Sequence, residues 1–125
     1  MAMTAMELVT AARQHIREVD LTTGCHLLES ALILDVREPG EYAAGCLPGA
    51  INIPRGILEF KIHSHPAFQG RKDAQILVYC QSGGRSALAS ETLQLLGYTH
   101  PCSLAGGFKA WSDAGLPVDK PISSG

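Results

Sequence analysis

The sequence predicts an α/β domain, built as a small, mainly parallel five-stranded sheet with helices on both faces. Three observations carry this. Short apolar runs alternate with helix-patterned segments along nearly all of the 125 residues, the order that builds a parallel sheet through helical crossovers. One run, Ala31-Leu32-Ile33-Leu34-Asp35-Val36, is apolar at consecutive positions, as in a strand buried on both faces. Another, Ile76-Leu77-Val78-Tyr79, leads straight through Cys80 and a glycine-containing loop into a helical pattern. Open α/β sheets bind ligands at such carboxyl ends of strands.

The elements follow in order. Over residues 4–16 apolar side chains recur at Ala5, Leu8/Val9, Ala12 and Ile16, and Thr4 with Glu7 three positions on forms a capping box, so this segment predicts an amphipathic helix. A short strand near Val19, a helical turn through Leu27 and Leu28, and the strand over 31–36 come next. Pro39 suits the first turn of a helix and Gly45 its stop, which predicts a helix over 38–44. Residues 50–53 read as a short strand closed by Pro54 and residues 55–63 as helical. Pro66 and Gly70 then mark a polar, mobile surface loop as far as Asp73.

Residues 75–79 form the strongest strand pattern and 86–96 a helix, with Leu88, Thr92 and Leu95 on one stripe, Ala89, Leu93 and Leu96 beside it, and Gly97 as stop. A last strand is predicted over 100–103. Gly106 and Gly107 turn into a helix through Ala110 and Trp111, which ends at Gly115-Leu116-Pro117. Residues 1–16 thus read as a helical extension, 17–118 as one domain, and 119–125 as a tail with an untethered polar end at Ser123-Ser124-Gly125.

Composition narrows the function. With 46% hydrophobic and 18% charged residues and a formal net charge of −2, the chain lacks the clustered basic surface that nucleic acid or an anionic membrane requires. No apolar run approaches a membrane span, and Glu7 and Arg13 interrupt the segment where a signal peptide would be apolar, so a cytoplasmic protein is expected. Cys25, Cys46, Cys80 and Cys102 form neither a CxxC pair nor a zinc pattern, and His63 and His65 have no further ligands clustered around them. Neither a metal nor a cofactor is implied.

Cys80 alone has a chemically special neighbourhood. A helix N-terminus presents unpaired N–H groups and a partial positive charge, which stabilise an anion by about 1–2 kcal/mol at the upper end of the usual range. In Cys80-Gln81-Ser82-Gly83-Gly84-Arg85-Ser86, the glycines let the backbone turn and aim N–H groups inward, and Arg85 adds a fixed cation. A thiolate nucleophile in an anion cradle is the chemistry this pattern points to.

The motifs taken together resemble a single-domain rhodanese. They are Asp35-Val36-Arg37-Glu38 with Glu41-Tyr42, Gly45-Cys46-Leu47-Pro48-Gly49-Ala50-Ile51-Asn52-Ile53-Pro54, the Cys80 loop, and Gly106-Gly107-Phe108-Lys109-Ala110-Trp111 with Gly115-Leu116-Pro117. The resemblance covers residues 19–118 and implies a rhodanese-like fold and a sulfurtransferase. Cys80 would take a sulfane sulfur from a small anionic donor such as thiosulfate and pass it, as a persulfide, to a thiol or cyanide. Gln81, Ser82, Gly83, Gly84, Arg85 and Ser86 would bind the transferred sulfur and the donor, with Arg85 on the donor's charge. Asp35 and Arg37 would brace the loop. Where such domains commonly carry His before the Leu-Pro-Gly-Ala turn, this chain has Cys46, which cannot supply the ring's hydrogen bonds.

Two other readings share these residues. A carrier would accept sulfur from a sulfur-trafficking protein, without turnover of small donors. A cysteine phosphatase or arsenate reductase would use a similar loop on a tetrahedral oxyanion, but those enzymes have Cys-x5-Arg. Here four residues separate Cys80 from Arg85, a tighter ring that suits one sulfur atom.

Overall fold

The computed structural model describes residues 2–121; Met1 and residues 122–125, including the predicted polar end, lie outside the described residues. Five strands, β1 (Arg17–Val19), β2 (Leu32–Asp35), β3 (Ile51–Asn52), β4 (Gln75–Tyr79) and β5 (His100–Leu104), form one sheet in the order β1-β5-β4-β2-β3. Every strand pair is parallel, so the sheet is wholly rather than mainly so. The register sets Asp35 opposite Tyr79 and Asn52, which brings the carboxyl ends of the three strands to one edge.

Six helices cover the sheet: α1 (Ala5–Arg13), α2 (Leu21–Leu27), α3 (Pro39–Ala44), α4 (Leu58–Lys61), α5 (Gly84–Leu95) and α6 (Gly107–Asp113). The strands' period of two divides the core. Leu34, Val36, Ile76, Val78 and Cys80 face Leu58, Ile62, Phe68, Ala89 and Leu93 on one side. Ile33, Leu77, Tyr79, Cys102 and Leu104 face Leu27, Leu47 and Trp111 on the other. Each large side chain in these layers contributes about 1.5–3 kcal/mol by leaving water.

Several boundaries differ from the sequence prediction. Glu38 is the N-cap of α3 rather than its first residue, because Pro39 takes the first helical position. Residues 55–63 do not make one helix: 3-10 turns at Arg55–Ile57 and Ile62–Ser64 flank the four residues of α4. The segment before Asp73 is less polar than expected. Phe68 is fully buried, and turn bonds from Phe68 and Gln69 to the His65 carbonyl fold the chain around it.

Helix α5 begins two residues earlier than predicted and departs from a simple stripe. Leu95 is 84% exposed while Ser86 and Ser90 are fully buried. Ser86 turns toward Cys80 and Ser103 on the sheet side, while Val9 and Ala12 of α1 pack on Ala87 and cover a second face of α5. The predicted capping box fixes the start of α1: Glu7 N donates to Thr4 Oγ1 at 3.1 Å and Thr4 N to Glu7 Oε1 at 3.0 Å. At the other end of the chain Asp119, assigned from sequence to the tail, exchanges backbone hydrogen bonds of 2.8 Å with Cys46 in both directions.

Candidate active site

Cys80 stands one residue past β4, 1% exposed, where the chain turns toward α5. Its Sγ accepts from the backbone N–H of Gly83 at 3.1 Å and of Ser86 at 3.3 Å. Gly83, the N-cap of α5, has φ +106°, a left-handed conformation that a side chain disfavours. Gly84 carries no such requirement and simply begins the helix. The cradle around the sulfur is therefore made by two amides, and the N–H groups of Gly84 and Arg85 remain among those a helix start leaves unpaired.

Behind the sulfur lies a chain of hydroxyls. Ser86 Oγ is 3.5 Å from Cys80 Sγ, 3.2 Å from the Gly83 carbonyl to which it donates, and 2.8 Å from Ser103 Oγ on β5. Ser86 and Ser103 are both fully buried. Ser103 was not singled out by the sequence, where it is one more residue in a strand pattern.

Asp35 and Arg37, expected to brace the loop, meet in a network larger than a single ion pair. The buried Arg37 guanidinium donates to Asp35 through Nε at 3.1 Å and Nη2 at 2.7 Å, and to the Gly45 carbonyl at 2.6 Å. Its Nη1 reaches Gln81 Oε1 at 3.4 Å, the direct link to the loop. Tyr79 O–H donates to Asp35 Oδ2 at 2.8 Å and accepts from Leu47 N at 3.1 Å. Burial works against the charge of Arg37, but the hydrogen bonds it donates to Asp35 and the nearness of that carboxylate outweigh it and hold its pKa above the ordinary value. Burial, with the Asp35 charge, pushes the Tyr79 phenol far up, so it serves as a neutral donor. Arg37 also lies 4.4 Å over the Phe108 ring.

Helix α6 clamps the loop from outside. Phe108 N donates to the Cys80 carbonyl at 2.8 Å and Lys109 N to the Gln81 carbonyl at 3.0 Å. Gly107, at φ +61°, makes this approach possible: a Cβ there would lie 2.5 Å from the Cys80 carbonyl oxygen and 2.7 Å from the Gln81 carbonyl carbon. These carbonyls accept from α6, and beyond the adjacent glycines nothing in the local residue pattern signals the pairing.

Arg85 is not free. Its two terminal nitrogens meet the two carboxylate oxygens of Glu41 on α3 at 2.8 and 3.0 Å. Hydrogen bonding to Arg85 brings the Glu41 pKa down to about 2. Glu41 also accepts from Glu38 N at 3.0 Å, so one carboxylate caps α3 and holds the loop arginine. Ser82 is the exposed residue of the loop. Arg55, in the 3-10 turn that follows β3, is engaged by Glu59 and Thr92.

Two further cysteines, Cys46 and Cys102, are buried. Burial raises the pKa of Cys46 and of Cys102, which keeps both protonated. Cys46 is held in place by its backbone exchange with Asp119, which fixes the turn without the ring bonds of a histidine.

Comparison with known proteins agrees with this geometry. The rhodanese-like domain matches residues 20–114. The chain belongs to the rhodanese-like family. A sulfurtransferase of Allochromatium vinosum is 36% identical over 93 residues, covering 74% of this chain and 82% of the relative. The human thiosulfate:glutathione sulfurtransferase is 37% identical over 90 residues, 65% of this chain and 78% of the relative. Among solved structures, a Rhodopseudomonas palustris protein of unknown function, described as a possible tyrosine phosphatase, superposes with a TM-score of 0.86 at 32% identity over 95% of this chain and 96% of its own. The rhodanese-like relatives support sulfur transfer as the general class of activity.

Proposed function

We propose that this protein moves a sulfane sulfur from a small anionic donor such as thiosulfate to a thiol or cyanide acceptor through a persulfide on Cys80. The observation that carries the reading is the pair of amides from Gly83 and Ser86 on a sulfur seated at the start of a twelve-residue helix. The Cys80 thiolate attacks the outer sulfur of thiosulfate; an S–S bond forms, the donor's S–S bond breaks, and sulfite leaves with the electron pair. The acceptor then attacks the outer persulfide sulfur and returns Cys80 to the thiolate. The unpaired N–H groups of Gly84 and Arg85 are the donors left for that outer sulfur.

The four-residue spacing from Cys80 to Arg85 favours this chemistry over phosphate hydrolysis. A named relative that uses thiosulfate and glutathione supports the same donor and acceptor classes. Intact mass spectrometry after thiosulfate treatment tests the proposal. One added sulfur should appear on the Cys80 peptide, be removed by cyanide or glutathione, and be absent in Cys80→Ala. Sulfur found on Cys46 or Cys102 instead, or aryl phosphate hydrolysis faster than sulfur transfer, would overturn it. Slow turnover with thiosulfate beside rapid loading from a cysteine desulfurase would identify a carrier.

A further inference from the structure

We infer that Arg13, at the end of α1, is the guanidinium that receives the charge of an anionic sulfur donor at Cys80. Its Nη2 would lie 3.4 Å from a Cβ built on Gly83, the residue whose amide holds the sulfur at 3.1 Å. Backbone N and Cβ of one residue are about 2.5 Å apart, so Nη2 is no farther than about 9 Å from the sulfur. A thiosulfate in attack position places its sulfane sulfur about 3–3.5 Å from Cys80 and its sulfonate oxygens roughly 3 Å beyond, so a donor extended toward Arg13 ends within at most about one hydrogen-bond length of it.

The two arginines flanking the loop differ in what already occupies them. Arg85 has both terminal nitrogens committed to Glu41 in a fork-to-fork pair that neutralises it locally. Arg13 has one ion pair among the described residues, from Nε to Glu18 at 3.3 Å, and neither Nη nitrogen has a hydrogen-bond partner there. The absence of a side chain at Gly83 leaves the space that the guanidinium fills. Its backbone is fixed, since Val9 and Ala12 seat α1 on α5 and Val9 also lies 3.6 Å from the Cβ position of Gly84. Arg13 stands outside residues 20–114, so the donor contact comes from the segment that precedes the matched domain.

The inference rests on the proposed sulfur transfer only for the identity of the donor, and a size-matched pair of alkylating agents that differ in charge separates the two. Iodoacetate is anionic and iodoacetamide neutral, and each is displaced at carbon by the Cys80 sulfur with iodide leaving. In Arg13→Gln the rate with iodoacetate should fall about three- to tenfold relative to iodoacetamide, and the KM for thiosulfate should rise by a similar factor with kcat kept. Arg13→Lys should recover part of both, and 1 M salt should narrow the gap. An unchanged iodoacetate to iodoacetamide ratio, or equal losses with both agents, overturns the assignment. If the wild type forms no persulfide yet the ratio moves in Arg13→Gln, the donor chemistry is wrong and the anion contact stands.

Discussion

Replacing Gly107 by alanine tests whether α6 holds the Cys80 loop in shape. The new Cβ would meet the backbone of Cys80 and Gln81 at 2.5–2.7 Å, and backbone, unlike a side-chain tip, cannot swing aside. The residue's φ of +61° adds about 1–2 kcal/mol of left-handed strain. Relief requires α6 to retreat, which breaks the bonds from Phe108 N and Lys109 N; at about 0.5–1.5 kcal/mol each these bring the total to roughly 2–5 kcal/mol. Against a domain stability of ~5–15 kcal/mol that is a large fraction. Urea denaturation should show the loss as a lower midpoint, and persulfide formation on the surviving folded protein should slow because the two carbonyls no longer orient the loop. Gly40→Ala is the control, since its Cβ meets nothing within 4 Å and its φ is ordinary; it should be neutral or slightly stabilising. A Gly107→Ala protein with wild-type midpoint and wild-type sulfur loading would refute the clamp.

Removing Asp35 should be among the most damaging single changes, because Asp35→Ala leaves the guanidinium of Arg37, 2% exposed, without its carboxylate; a loss of about 3–5 kcal/mol is expected in equilibrium unfolding, and under 1 kcal/mol would contradict the brace. Glu41 predicts a pH dependence of definite sign. Its folded pKa of about 2 lies below the ordinary 4.5, so its contribution is present above pH 4.5 and is lost as pH falls toward 2. Thermal melts of wild type and Glu41→Gln should therefore differ at neutral pH and converge in acid, and a constant difference would show that the carboxylate's charge is not what matters.

The sequence disclosed what depends on neighbours in the chain. Strands at Leu34 and Val78, the capping box at Thr4, and Cys80 at a strand-to-helix junction all rest on local periodicity or spacing, and each was legible. The pair of Asp35 and Arg37 was legible too, since two residues apart they meet across one turn of backbone. What escaped was set by distant partners. Glu41 was visible as a motif residue but not as the carboxylate on Arg85, 44 positions away. Ser103 became part of the sulfur's surroundings only because β5 packs beside β4. The stripe on α5 misled for the same reason: α1 covers a face that periodicity assigns to solvent.

The placement of the first strand beside the last has a consequence for synthesis. Among the described residues β1 pairs only with β5, Val19 meeting Leu104, so β1 leaves the ribosome 85 residues before its partner does. Loop-closure entropy over that separation makes the pairing late. The carbonyls of Cys80 and Gln81 likewise wait for Phe108 and Lys109. A nascent chain that has emerged only through α5 holds the thiol and its two amides but neither the strand nor the helix that orders them. The Cys80 loop therefore gains its outer supports only once β5 and α6 have formed, later than the thiol and its two amides.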